Sequence, residues 1–145
     1  TLFPYTTLFR SGLLSRNIKI QGDAESETAG FGGHIMAMVT SKMFVEGVEL
    51  SRMGQHLQLA RYPIHWHLVG DAKGQYIKNA SIHDTYNRCV TVHGTNFLHV
   101  ENNVTYNIVG HCFFLEDGIE HGNEFAWREP STFGKSFKRL TAVVS

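Results

Sequence analysis

The 145-residue chain has no apolar run near the ~20 residues that an α-helical membrane span needs, and it has only two cysteines, Cys89 and Cys112. Charge of one sign is not in excess either. Thirteen Lys and Arg balance thirteen Asp and Glu, which leaves no broad basic field for nucleic acid and no acidic tail. There is no glycine-rich phosphate loop, no nucleophile elbow and no paired CxxC motif. No segment has a convincing helical period. The 14 glycines are scattered, which fits frequent corners rather than long helices. What remains is a chain of short strands and turns, of a length suited to one ordinary domain.

The chain does, however, repeat itself. Arg88-Cys89-Val90-Thr91-Val92-His93-Gly94 returns about 23 residues later as His111-Cys112-Phe113-Phe114-Leu115-Glu116-Asp117, and a looser copy lies upstream at Pro63-Ile64-His65-Trp66-His67-Leu68. Each copy alternates apolar with polar residues. A constant period of this size predicts stacked coils, each burying its apolar side against its neighbours. The expected fold is therefore all-β, a right-handed parallel β-helix. The alternative is an antiparallel β-sandwich, whose hairpins need no constant period. Predicted strands are Arg16 to Asp23, His34 to Val39, Met43 to Leu50, Ile64 to Leu68, Gln75 to Ile82, Cys89 to His93, Phe97 to Val104 and Cys112 to Leu115. Ala24 to Gly33 reads as a loop, and Ser51 to Arg61 as a loop projecting from the stack. Gly70-Asp71 and Gly94-Thr95-Asn96 supply turns.

Residues 1–11, TLFPYTTLFRS, match the translation of a common sequencing adapter and are set aside as an artefactual leader. Residues 12–125 form the coils, and 126–145 an irregular tail with a terminal strand at Leu140 to Val144. Cys89 and Cys112 occupy equivalent repeat positions, so they either pair across adjacent coils or remain buried thiols. Asn79-Ala80-Ser81 and Asn103-Val104-Thr105 are glycosylation sequons, which point weakly to export. Asn79, Asn102 and Asn103 fall at similar points of successive coils, either as a stacked amide ladder or as turn residues.

The chemistry follows from the register. If Ile64, Val90 and Phe113 stack, then Trp66, Val92 and Leu115 stack two residues later, and all point inward. His65, Thr91 and Phe114 form one outward file; His67, His93 and Glu116 form the next. Strands ~4.8 Å apart let three such side chains converge on one ion or one substrate group. Two imidazoles and a carboxylate suit a divalent metal, so His67, His93 and Glu116 are the candidate ligands. His93 and Glu116, with Asp117 from the following turn, are equally a candidate acid–base set on a sugar. The bland reading is a solvated polar face with modest pair interactions.

His65 borders this column, and His111 and Glu120 lie close to it in sequence. Arg61 and Arg88 open coils and either hold an anionic ligand bidentately or brace corner carbonyls. These five are the candidate substrate-binding residues. His34 could extend the histidine column upstream, whereas His83 and His99 read as ordinary exterior residues. Tyr86 and Tyr106 offer stacking faces for a sugar, and Trp66 reads as core.

Arg61-Tyr62-Pro63-Ile64-His65-Trp66-His67, Asn87 to Thr95 and Gly110 to Glu120 together resemble one family. It comprises the cell-surface hyaluronidases, the cell migration-inducing, hyaluronan-binding proteins and the fibrocystin-like receptors. The resemblance runs from about Leu14 to Asn123 and fades after Glu124. It implies a right-handed parallel β-helix within a much larger extracellular or cell-surface protein, in which a glycine-rich β domain usually comes first. Some relatives degrade hyaluronan with calcium dependence, while fibrocystin-like relatives are receptors. Calcium is therefore the divalent ion the resemblance suggests. It carries over no catalytic assignment, because the family's catalytic residues lie at least partly in the preceding domain.

Two functions follow as expectations. One is cleavage of an acidic polysaccharide such as hyaluronan along the outer face, by hydrolysis with two suitably spaced carboxylates or by elimination with a base near the uronate α-proton. The other is a noncatalytic recognition or scaffold module, with the histidine column at most a metal-stabilised coil.

Overall fold

The computed structural model describes residues 13–127. The adapter-like leader and the expected strand at Leu140 to Val144 lie outside them. The described chain forms twelve strands and one helix: β1 (Ile18–Gln21), α1 (Ala24–Ala29), β2 (Ile35–Met38), β3 (Phe44–Glu46), β4 (Val48–Ser51), β5 (Ile64–Asp71), β6 (Tyr76–Lys78), β7 (Ser81–Thr85), β8 (Val90–Asn96), β9 (His99–Glu101), β10 (Val104–Ile108), β11 (Phe113–Leu115) and β12 (Glu124–Ala126).

These strands visit three four-stranded sheets in turn, ordered β1-β4-β7-β10, β11-β8-β5-β2 and β12-β9-β6-β3. Every pairing between named strands is parallel. Successive coils are thus stacked around a central core as a parallel β-helix, and the sandwich alternative falls away.

The register is the one the repeat demands. Ile35, Ile64, Val90 and Phe113 stack, as do Ala37, Trp66, Val92 and Leu115. Ile64, Trp66, Val90 and Val92 are fully buried, alongside Ile77 and Ile82 from the other two sheets and Leu98 just before β9. Burying an aliphatic side chain of this size stabilises the fold by ~1.5–3 kcal/mol, so alternation alone dictates which face turns inward. Trp66 is core, as expected. Its indole N–H donates to Gln75 Oε1 at 3.0 Å, which also accepts from the Met43 backbone N–H at 2.9 Å. That satisfies a polar pair that would otherwise be orphaned inside the coil.

Several expected elements differ in detail. Three predicted strands are each two, broken at Gly47 (φ 62°), Asn79 (φ 54°) and Asn102 (φ 52°). One left-handed residue turns the chain onto the next sheet without ending the apolar series. The predicted turns Gly70-Asp71 and Gly94-Thr95-Asn96 lie inside β5 and β8.

Two loops also fold otherwise than expected. The expected loop Ala24 to Gly33 contains α1, opened by the Asp23 carboxylate accepting from the Ser26 N–H at 2.8 Å and closed by left-handed Gly30. The loop from Ser51 to Arg61 does not project. It lies back on the stack with Met53 in the core, bridged through Gly33↔Met53 and Phe31↔Gln55.

Asn103 acts as a backbone clasp, and Asn79 and Asn102 are the left-handed corner residues. Asn103 Oδ1 accepts from the Ala80 N–H and its Nδ2 donates to the Ile77 carbonyl, and Asn123 bridges Leu98 and Thr95 in the same way. Each ties its own coil to the backbone of the one before. Cys89 and Cys112 are disulfide-bonded, Cα to Cα 4.4 Å, linking adjacent coils at the entry to β8 and β11.

Candidate functional site

The outer face of the β2-β5-β8-β11 sheet brings the predicted column together. His67 and His93 are register partners, and the Glu116 N–H donates to the Val92 carbonyl at 2.9 Å, carrying the register past the end of β11. The Nδ1 atoms of His67 and His93 lie 3.0 Å apart. Glu116 Oε2 is 3.6 Å from His93 Nδ1 and 3.7 Å from His65 Nε2. One ring nitrogen from each of His65, His67 and His93 lies within 4.8 Å of the other two.

His65 is where the expectation needs correction. It points to the outer face, but it is fully buried rather than a solvated border residue. The folded-back loop and Tyr62 cover it: Nδ1 faces the Ala60 carbonyl at 3.4 Å, and the Tyr62 ring lies 5.0 Å away, centroid to centroid. Burial is the main reason its pKa falls to about 4, with the neighbouring imidazoles of His67 and His93 acting in the same direction. The ring is neutral at physiological pH, and its Nε2 has no hydrogen-bond partner. Thr91, in the same file, is equally buried.

The carboxylate end is held tightly. Glu116 Oε1 accepts from the Tyr62 hydroxyl at 2.9 Å and from Arg88 at 3.3 Å, and Arg88 also donates to the Tyr62 oxygen at 3.1 Å. Burial raises the Tyr62 pKa, and the adjacent Glu116 carboxylate adds to that. The phenol therefore stays a neutral donor. The Arg88 guanidinium lies 3.7 Å from the Phe114 ring centroid, and His111 stacks on the same ring. The other oxygen, Glu116 Oε2, is buried without a partner and aimed at the imidazoles. On the far side of His93, Nε2 meets Asp117 Oδ2 at 3.1 Å.

The remaining candidates are placed as follows. Asp117 is exposed at the rim. Glu120 is not available to a polysaccharide: it is 4% exposed, and its Oε1 accepts from the Gly94 and Asp117 backbone N–H groups at 3.0 and 3.1 Å. Burial opposes its ionisation, but these and further backbone donors outweigh it and hold the carboxyl below the ordinary range. It is a brace for the turn that presents Asp117. Arg88 is likewise committed to internal partners, while Arg61 and His111 are exposed. His34 does not extend the column. It faces Arg61 at 3.4 Å, and the place one coil before His67 belongs to Met38.

A cavity of about 520 Å³ lies elsewhere, lined by Ser51, Arg52, His83, Asp84 and Tyr86. His83 is thus no ordinary exterior residue. It is buried, with Nε2 3.2 Å from Glu49 and Nδ1 2.7 Å from Asp84. Convergent unpartnered atoms are a better mark of ligand chemistry than concave volume, so the histidine face is the candidate site. The sequence hid the roles of Tyr62 and His65. Tyr62, adjacent to Pro63 and two residues before the strand, carries no periodic signal for its contact with Glu116.

A parallel β-helix bearing a convergent imidazole–carboxylate cluster on its flank defines the class of protein. Residues 30–127 match the model of the CEMIP β-helix family, and the chain belongs to that family. It is 44% identical over 131 residues to the cell surface hyaluronidase CEMIP2 of Homo sapiens, covering 77% of this chain and 9% of that protein. Identity is also 44% over 135 residues to the cell migration-inducing and hyaluronan-binding protein of Mus musculus, covering 79% and 10%. It is again 44% over 126 residues to fibrocystin-L of Mus musculus, covering 79% and 3%. The chain spans a tenth or less of the length of these curated relatives. Among the described residues, no helix is long and apolar enough to cross a membrane.

Proposed function

We propose that this β-helix belongs to a secreted or cell-surface protein and that its histidine face binds an acidic polysaccharide such as hyaluronan and takes part in cleaving it. The observation that carries the reading is the cluster of His67, His93 and Glu116 on the outer face of the β-helix, with Glu116 held by Tyr62 and Arg88. The relatives named for hyaluronan support the substrate class, and a disulfide between coils suits an oxidising compartment.

In this reading Glu116 and Asp117 are the carboxyl groups that exchange protons with the glycosidic oxygen and water, with His93 between them. Arg61 and His111 offset uronate charge from the exposed rim. Arg88 acts as a positioning residue, because its Nη1 is engaged with both Glu116 and Tyr62. A divalent ion at the imidazoles is part of the proposal.

The second reading is a noncatalytic module of the fibrocystin-like kind. It is favoured by one finding: fibrocystin-L matches this chain at the same 44% identity as the hyaluronidase-named relatives. Hyaluronan depolymerisation by the full-length protein separates the two. The enzyme reading expects at least a 100-fold loss of turnover in Glu116→Gln and in Asp117→Asn, with folding retained. Unchanged turnover in both would remove this face from the chemistry. Hyaluronan binding without turnover in the unmodified protein would establish the recognition module.

A further inference from the structure

The histidine face has too many inward-aimed lone pairs and too few protons to satisfy them. His65 Nε2 is fully buried and unpartnered, and Glu116 Oε2 is buried and unpartnered beside it. His67 and His93 bring two Nδ1 atoms to 3.0 Å, where a single shared proton is the most that can lie between them. Two of the rings set their other nitrogen against an oxygen. His93 Nε2 meets Asp117 Oδ2, and His65 Nδ1 faces the Ala60 carbonyl. An oxygen partner on the outer nitrogen fixes the tautomer that leaves the inner nitrogen bare, the arrangement found behind metal-ligating histidines.

The spacing agrees. Two nitrogens each ~2.0–2.1 Å from one ion lie about 2.9–3.4 Å apart at octahedral to tetrahedral angles, and the observed pair is at 3.0 Å. The donor type excludes the ion suggested by family resemblance. Calcium takes oxygen ligands, whereas three imidazoles suit zinc, cobalt, nickel or copper.

We infer that His65 Nε2, His67 Nδ1, His93 Nδ1 and Glu116 Oε2 form a binding site for a first-row transition-metal ion, with Asp117 orienting His93 and with Tyr62 and Arg88 orienting Glu116. The inference stands on geometry without the polysaccharide-cleaving reading, and it recasts Glu116 as a metal ligand and Asp117 as the group orienting His93 in place of their proton-transfer roles. It adds His65, which sequence reasoning left outside the metal set, and it replaces calcium.

The test is metal binding by the full-length protein, with Zn²⁺, Co²⁺ and Ca²⁺ as probes. After chelation and reloading, elemental analysis should find one zinc more per chain in the unmodified protein than in His67→Ala or His93→Ala. Zinc affinity in those variants should fall tenfold or more, with no fall in His99→Ala. Cobalt loading of the unmodified protein should give the intense visible absorption of nitrogen-rich low coordination, which needs no variant to fold. Calcium should neither be retained nor displace cobalt. Equal zinc content in unmodified protein and both variants, a cobalt spectrum of the hydrated ion, or displacement by calcium would each overturn the assignment. Hyaluronan turnover is read separately. Metal bound with no turnover leaves this site standing and removes the enzyme reading; turnover with no metal does the reverse.

Discussion

Two faces of the same coil carry histidines beside carboxylates, and they resolve their charges in opposite ways. On the β1-β4-β7-β10 face, His83 is bracketed by Glu49 and Asp84, Glu49 takes Lys19 at 2.7 Å and the Arg16 N–H at 3.1 Å, and Asp84 takes Asn107 at 2.6 Å. His83, Glu49 and Asp84 each have a partner of opposite character, although the Tyr86 hydroxyl nearby is buried without one. On the histidine face, nitrogens point at nitrogens, and a buried carboxylate oxygen has no donor. Saturation marks a network that holds the fold together, and convergence without saturation marks one awaiting a ligand.

The largest effect should come from the one covalent difference between the faces. The disulfide closes a loop of 23 residues on the histidine side, and removing it through paired Cys89→Ala and Cys112→Ala changes should lower unfolding free energy by about 3 kcal/mol. Chemical denaturation measures this, and a loss below 1 kcal/mol would mean that stacking alone sets the register at that corner.

Next comes the saturated network. Glu49→Gln should cost about 2 kcal/mol, because it strips a buried acceptor from Lys19 and His83. The Lys19 ammonium is the main reason the Glu49 carboxyl sits below its ordinary value, with the Arg16 N–H and His83 helping against burial. A depressed folded pKa gives stability that is full above the ordinary carboxylate range and is lost as pH falls through the lower folded value. The acid limb of a stability–pH profile should therefore flatten in Glu49→Gln. An unchanged limb would show the network to be no tighter than a solvated one.

The smallest effect should be Gly94→Ala. Gly94 has φ 51°, and an added Cβ would meet the exposed Leu68 side chain, which can move aside. About 1 kcal/mol is expected from the backbone conformation. The same change should perturb the turn presenting Asp117, since the Gly94 N–H and the Asp117 N–H share Glu120 Oε1. Denaturation and the Asp117 amide chemical shift would check both.

The register was legible because alternation leaves only one parity in which Ile64, Val90 and Phe113 all face inward, and that parity places His67, His93 and Glu116 outward together. The coil corners were not, because Asn79 and Asn102 turn the chain without interrupting the apolar series. The burial of His65 was not either, since its cover comes from Tyr62 and from a non-repeating loop whose position nothing periodic specifies. Helix α1 spans six residues, too few to show a period, yet Asp23 three residues before Ser26 and Gly30 at its end were the capping signal that could have revealed it.

Asn103 stands in an attachment sequence for a glycan, yet its amide is the clasp between two turns of the coil, oxygen on the Ala80 N–H and nitrogen on the Ile77 carbonyl. A sugar joined to that nitrogen takes one of its two hydrogens. Glycan attachment at Asn103 is compatible with the wound coil only if the remaining N–H stays on the Ile77 carbonyl.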